Sequence, residues 1–347
     1  MPVPPRRCSP HPHRRRALTG LAATAAALVC AAATGPAPSA SDDPPPPAGG
    51  RDYPTRLIAY VANSGSDDAS SYDVPLERPI TTTQVGDGPT GVGAAPDGTH
   101  VYVANGLSDT VSFIETTGHT VVATVPVGDY PFAAMPSRDG ARVLTADWGG
   151  DTVTVIDAES RTVVATTPVG ALPHSITTIP DGRAFVTNSG AGEVTVLAPD
   201  NTVAATVPVG SFPSGITSTA GGDTVYVANT GDGTISVIDT ATVEVTATWP
   251  VGEAPLGLAV SPDGDRLYAA DSATDELLVI DTATGEVLAR VPVGHTPQGV
   301  AVSPGGGRVW VTNEASDTVS VIDAATTTVR TTLPTGRQPE GIAITPR

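Results

Sequence analysis

The sequence predicts an all-β fold, a seven-bladed β-propeller with four antiparallel strands per blade, and three observations carry that prediction. A four-residue phrase recurs: YVAN at 60–63, 102–105 and 226–229, LTAD at 144–147, FVTN at 185–188, YAAD at 268–271 and WVTN at 310–313. Its last residue falls at 63, 105, 147, 188, 229, 271 and 313, in steps of 42, 42, 41, 41, 42 and 42, a period that marks a repeat architecture. Each period holds four short runs rich in Val, Ile and Thr, divided by Gly-, Pro- and Asp-bearing turns, which is the strand count of a propeller blade.

The unit at 296–336 gives the elements in order. Gly299–Ser303 is a short apolar strand, and Pro304–Gly307 is the turn that reads Pro-Asp-Gly at Pro96–Gly98, Pro180–Gly182 and Pro262–Gly264. Arg308–Thr312 is the second strand and Thr318–Ile322 the third. Asp323 opens the next turn, where its carboxylate can accept a backbone N–H two residues on. Thr328–Leu333 is the fourth strand; a Pro-Val-Gly or its variant then ends the ladder, and the glycine supplies the permissive φ for a sharp exit. Strands such as Val319–Ile322 are apolar on both sides of the pleat, so each blade must be covered by two neighbours. With aromatics at 4%, the core is built from small β-branched side chains.

The ends of the repeat array predict how the ring closes. Leu57–Val61 reads as a second strand with no first strand before it, and Pro339–Pro346 supplies that missing piece. The C-terminal strand is therefore expected to pair into the N-terminal blade, making one propeller domain over 56–347. Closing so long a loop costs roughly 5 kcal/mol of entropy, whereas each buried Val or Ile contributes ~1.5–3 kcal/mol.

Residues 1–40 read as an export signal: Arg14, Arg15 and Arg16 precede the uncharged run Ala17–Ala33, and small residues follow up to Ala40. Cleavage or retention as an anchor, general or twin-arginine export, and lipid modification at Cys30 all stay open. Residues 41–55, with Pro44–Pro47 in a row, are expected to be a disordered spacer. The expected location is secreted, extracellular or cell-wall associated.

Composition excludes several chemistries. The two cysteines, Cys8 and Cys30, both lie in the leader, so the remainder has no disulfide, thiolate metal site or cysteine nucleophile. All 18 basic residues are arginine, which excludes Schiff-base lysines and a P-loop lysine. Five arginines and no acid lie in 1–40, leaving 13 arginines against 36 acids and a net charge of −23 beyond it. That field repels nucleic acid and anionic lipid, so neither nucleic acid nor, after leader cleavage, membrane is an expected partner.

The phrases YVAN and FVTN, with the PVGxxPxG and Pro-Asp-Gly runs, resemble the YVTN family of β-propeller repeats over about residues 56–347. The resemblance implies the fold closely and the function loosely. The family includes cell-surface and extracellular binding proteins, and related seven-bladed propellers include lactone hydrolases and streptogramin-type lyases.

Ligands of such propellers meet the loops before each inner strand and after the second strand. Equivalent positions that vary between blades are the candidates. After the loop proline stand Thr90, Phe132, His174, Ser214, Leu256, Gln298 and Glu340; two residues before it stand Asp87, Asp129, Ala171, Ser211, Glu253, His295 and Arg337. After the phrase, Trp148 and Glu314 depart from small residues. Sorted by blade, these predict an aromatic wall of Tyr130, Phe132, Trp148, His174 and Phe212 facing a polar wall of Glu253, His295, Gln298, Glu314, Arg337 and Glu340. Stacking on Trp or Tyr suits a sugar or other flat ligand. The plainer alternative has Phe132 and Phe212 plugging the channel and Arg337 and Glu340 forming a solvated pair.

The expected function is recognition of a small molecule, glycan or protein by a monomer. The alternatives are a lactonase-like hydrolase or lyase on the same face, with His295 and Glu314 as candidate general base, and a structural envelope protein. No cofactor or metal is expected; Ca²⁺, which a lactonase-like site would use, has no EF-hand-type loop here. The asparagine of the repeated phrase recurs too regularly to be a site residue and is expected to cap its loop.

Overall fold

The computed structural model describes residues 57–345, so the expected leader and spacer lie outside the described residues. Seven four-stranded antiparallel sheets follow one another along the chain. Their inner strands are Pro339–Ile344 in blade 1, then Pro89–Ala94, Pro131–Pro136, Pro173–Thr178, Pro213–Ser218, Pro255–Val260 and Pro297–Val302 in blades 2 to 7. The unit read at 296–336 is reproduced with strands at Pro297–Val302, Arg308–Asn313, Thr318–Asp323 and Thr328–Pro334; the first begins two residues earlier than expected, at the loop proline itself. Among the described residues the sole helix is the 3₁₀ turn Glu314–Ser316, and no helix is long and apolar enough to cross a membrane.

Closure is as expected. Pro339–Ile344 pairs antiparallel with Ile58–Asn63, with Ala59 opposite Ile344 and Val61 opposite Ile342, and Thr345 Oγ1 accepts the Ile58 N–H at 3.0 Å. Blade 1 is thus made from both ends of the repeat array. A further link runs outside the sheets: Glu77 of blade 1 accepts Arg308 Nε at 2.8 Å and Arg330 Nε at 2.9 Å, both from blade 7.

The core sits between blades. One apolar cluster fills each junction: Ala59, Val61 and Ile342 meet Trp310, Val319 and Val321 across blades 1 and 7, and Tyr102, Phe113 and Val125 meet Ala134, Val143 and Ile156 across blades 2 and 3. This is why the second and third strands are buried on both faces while the outermost strands alternate with solvent.

The recurrent asparagine clasps its blade. Asn105 is fully buried; its Oδ1 accepts the Gly86 N–H at 3.1 Å, and its Nδ2 donates to Thr110 Oγ1 and Ser112 Oγ, both at 3.0 Å. Asn229 and Asn313 repeat the pattern with Gly210 and Gly294. Asp147 takes the same position in blade 3 and accepts from the hydroxyls of Thr145, Thr152 and Thr154 instead.

The glycine of the PxG run lets inner strands approach. A Cβ on Gly341 would lie 2.5 Å from the Thr90 carbonyl oxygen of the next inner strand. Blades 3 and 4 carry Ala133 and Ser175 at this position, and these are the blades that present Phe132 and His174.

Candidate functional site

The inner strands line a central channel with a cavity of about 150 Å³. Its lower part is apolar, with Val92, Met135, Ile176, Ile216, Leu258, Val300 and Ile342 on the wall. Above these, the residues following the loop prolines form a ring, as their equivalence in sequence requires. Thr90 and Ser214 are buried and committed to the scaffold: Thr90 Oγ1 donates to the Phe132 carbonyl at 3.0 Å, and Ser214 pairs with Thr230. Thr90, Phe132, His174, Leu256, Gln298 and Glu340 border the cavity, and Ser214 does not.

Phe132 and His174 stack with ring centroids 4.0 Å apart and 33° between planes. His174 is 9% exposed, and burial pushes its imidazole down to about 4, so the ring is neutral near pH 7. Its Nδ1 lies 3.0 Å from Ser175 Oγ; with the hydroxyl donating, the ring proton sits on Nε2.

Across the ring stand the acids. Gln298 Nε2 donates to Glu314 Oε2 at 2.6 Å. Glu340 is pushed up to about 7, first by burial and then by the negative charge of Glu314, against a lowering hydrogen bond from Ser64. The backbone beneath it is fixed, since Thr312 Oγ1 donates to the Glu340 carbonyl at 2.6 Å. The channel mouth therefore holds a carboxyl and an imidazole displaced in opposite directions, each toward its neutral form. Such a site can accept and donate hydrogen bonds to a compact polar ligand while an apolar wall excludes water.

Tyr130 and Trp148 form the rim above, with centroids 5.7 Å apart. The Tyr130 ring lies over Gly106 of blade 2, where a Cβ would stand 3.2 Å from Cζ. Burial, and secondarily the Glu340 charge, raise its phenol. The aromatic rim thus leans toward the acid rather than standing wholly opposite it.

The remaining sequence candidates are not brought together. Phe212 is 49% exposed on a left-handed backbone (φ 51°) and does not border the cavity, so it does not plug the channel. Glu253 and Arg337 are exposed on the rim, and among the described residues no ion pair joins Arg337 to Glu340. His295 and Glu314 do not form a dyad: the His295 side chain is 76% exposed and its Nδ1 is 2.7 Å from Asp275 Oδ2, while Glu314 is held by Gln298. The 3₁₀ turn Glu314–Ser316 meets His295 through its backbone instead, with Ser316 Oγ accepting the His295 N–H at 2.8 Å.

Among the described residues no group of three or more His, Cys, Asp or Glu is placed to hold a metal ion. The sequence reading did not single out the apolar lower wall or Ser64. The alternation of each inner strand pointed to the wall; Ser64, whose Oγ donates to the Gln338 carbonyl at 3.1 Å, comes beside Glu340 only through the pairing of the last strand with the first.

A model of a YNCE-like beta-propeller matches residues 52–183 and 187–308. Among curated proteins none matches the chain. A functionally unknown protein from Desulfotomaculum acetoxidans superposes with a TM-score of 0.74 at 16% identity, over 83% of this chain and 98% of that one. A putative 6-phosphogluconolactonase from Bacteroides fragilis gives 0.72 at 16% identity, over 85% and 99%. Hydrazine synthase from Kuenenia stuttgartiensis gives 0.70 at 22% identity, over 77% and 92%. At these identities the likeness to the solved structures is one of fold.

Proposed function

The chain belongs to the YNCE-like β-propeller family, and on that premise we propose that it is an exported recognition module that takes a small polar ligand into the mouth of its central channel. One observation carries the reading: His174 and Glu340, displaced to about 4 and about 7, border the same 150 Å³ cavity. Two titratable groups held toward their neutral forms beside one cavity, without an ionic partner, are candidates for ligand contact. The ligand is one whose hydrogen-bonding groups pair with a carboxyl and a neutral imidazole and whose body fits against Phe132. Tyr130 and Trp148 suit a ring-shaped ligand, a sugar among them. Export rests on the leader reading of 1–40 and on the acidic charge of the remainder.

The test is a calorimetric and thermal-shift screen of the purified chain against sugars, lactones and amines. Ligands that stabilise it are then measured on Glu340→Gln and His174→Phe. Binding should weaken about tenfold or more in each, as for loss of a buried hydrogen bond to a charged or polar partner. A ligand held equally well by both variants would place recognition elsewhere.

A second reading has one observation of its own. A carboxyl that titrates near 7 is suited to general acid–base work, which favours a hydrolase or lyase using the same cavity. A lactone is the substrate class to try, since a putative 6-phosphogluconolactonase shares the fold. In that case Glu340, rather than His295, is the residue at the reacting atoms. Turnover followed by NMR and abolished in Glu340→Gln would establish it; binding without turnover sustains the first reading.

A further inference from the structure

At the channel end opposite Glu340, the inner strands of blades 2 to 7 turn into their neighbours through a glycine in the left-handed region, as at Gly140 (φ 73°), Gly182 (φ 89°) and Gly306 (φ 72°). Two residues before these glycines the blades carry Pro96, Arg138, Pro180, Ala220, Pro262 and Pro304. Where the residue is proline, its ring lies against the glycine of the next turn: a Cβ on Gly140 would be 3.5 Å from Pro96 Cδ, and one on Gly306 would be 3.5 Å from Pro262 Cδ. Ala220 and Arg138 break the series; past Ala220 nothing lies within 4 Å of a Cβ on Gly264, and Arg138 is the one that brings a charge. Nothing of it meets Gly182, whose nearest neighbours are atoms of Pro199. Beside it lies a cavity of about 180 Å³ bordered by Arg138, Asp139, Arg142, Pro199 and Asn201.

The arginine side chain runs inward instead. Its Nε donates to the Thr178 carbonyl at 2.9 Å and its Nη2 to Ser218 Oγ at 3.1 Å, across blades 4 and 5. Arg142 spends Nη1 on the Pro199 carbonyl at 2.7 Å and on Asn201 Oδ1 at 2.9 Å. Arg138 Nη1, and Arg142 Nε and Nη2, have no acceptor among the described residues. Neither arginine has an ion pair there, whereas Arg183, Arg266, Arg290 and Arg308 all do. Asp139 and Asp157 feel the Arg142 charge, but their carboxylates are engaged by Ser137 and Ser160. Nothing negative acts on Arg138, whose guanidinium is lowered by burial alone. Arg138 is exposed and Arg142 half-buried, so their unengaged nitrogens are open to a ligand entering from solvent.

We propose that the cavity between blades 3 and 4 is an anion site, in which the unengaged nitrogens of Arg138 and Arg142 hold a small oxyanion of the phosphate or carboxylate type. Two guanidinium groups beside one cavity offer the forked donors that such groups accept. The chain's net charge of −18 opposes anion binding at long range, so occupancy depends on this local geometry.

The test is calorimetric titration of the purified chain with inorganic phosphate and, separately, acetate, at constant ionic strength in chloride. Saturable binding is expected, and the stronger of the two probes assigns the class. Arg138→Gln and Arg142→Gln should each weaken it about tenfold or more. Arg183→Gln, which removes a guanidinium already paired with Asp181, should leave it unchanged. Arg138→Pro restores the residue most blades use here, so it should fold and lose the anion, which guards against a folding defect in Arg138→Gln. No saturable binding of either probe, or unaltered affinity in Arg138→Pro, would show that Arg138 is a strap between blades and overturn the proposal.

Discussion

Gln298 and Glu314 meet within one blade, Nε2 to Oε2 at 2.6 Å, and the charge of Glu314 acts on the half-buried carboxyl of Glu340. The charge on Glu314 reinforces the effect of burial and keeps Glu340 protonated to about pH 7. The first prediction depends on that proximity as well as on burial.

Glu340 lowers stability as pH rises. Below pH 4.5 it is protonated in folded and unfolded chains alike; between 4.5 and about 7 the unfolded chain ionises and the folded one does not. The loss is complete above pH 7 and amounts to about 3 kcal/mol. Glu340→Gln should therefore be more stable than the parent at pH 8 and equal to it near pH 4, by denaturant midpoints at both values.

His174 acts with the opposite slope. Above pH 6.5 the ring is neutral in both states; as pH falls from 6.5 to about 4 only the unfolded chain takes up the proton, and stability drops by about 3 kcal/mol. Relative to the parent, His174→Phe should lose this acid dependence and be favoured at pH 4. Midpoints that track the parent's at both pH values would show the ring to be solvated.

Asn105→Ala should cost about 2 kcal/mol or more, because the Gly86 N–H and the hydroxyls of Thr110 and Ser112 lose a buried partner. Ligand affinity should be unchanged once the variant is folded. Denaturation and titration of the same sample separate the two effects.

Deleting 339–347 removes the inner strand of blade 1 and exposes the cluster of Ala59, Val61 and Trp310. Ile342 and Ile344 alone contribute ~1.5–3 kcal/mol each when fully buried. The expected result is a large fall in denaturant midpoint and fast amide exchange over 58–63. Protection there equal to the full chain would mean that the ring does not need its last strand.

Glu77→Gln should destabilise by about 1–2 kcal/mol, less at high salt, since its carboxylate serves Arg308 and Arg330 together and is only 15% exposed. Thermal melts in 0.05 and 1 M salt, roughly spanning weak and strong screening, check both the size and the sign.

The fold was legible because every blade repeats one solution. A period near 42, alternating strands and a misplaced first strand at 339–346 specify seven sheets and their closure without any long-range information. The same repetition made the ring of Phe132, His174, Gln298 and Glu340 readable, as equivalent positions must converge on the axis. It did not reveal which members face the cavity. Ser214 turns into the scaffold, Thr90 borders the cavity with its hydroxyl spent on the Phe132 carbonyl, Phe212 stays at the surface, and His295 pairs with Asp275, because those outcomes depend on partners from other strands. Nor could the sequence show that Glu340 is held protonated: that follows from an apolar channel built by seven distant strands, and from Glu314 brought close by a single turn of 3₁₀ helix. Local pattern determined the elements and their order, while burial and the electrostatics of juxtaposed blades, which depend on distances in space, decided the chemistry.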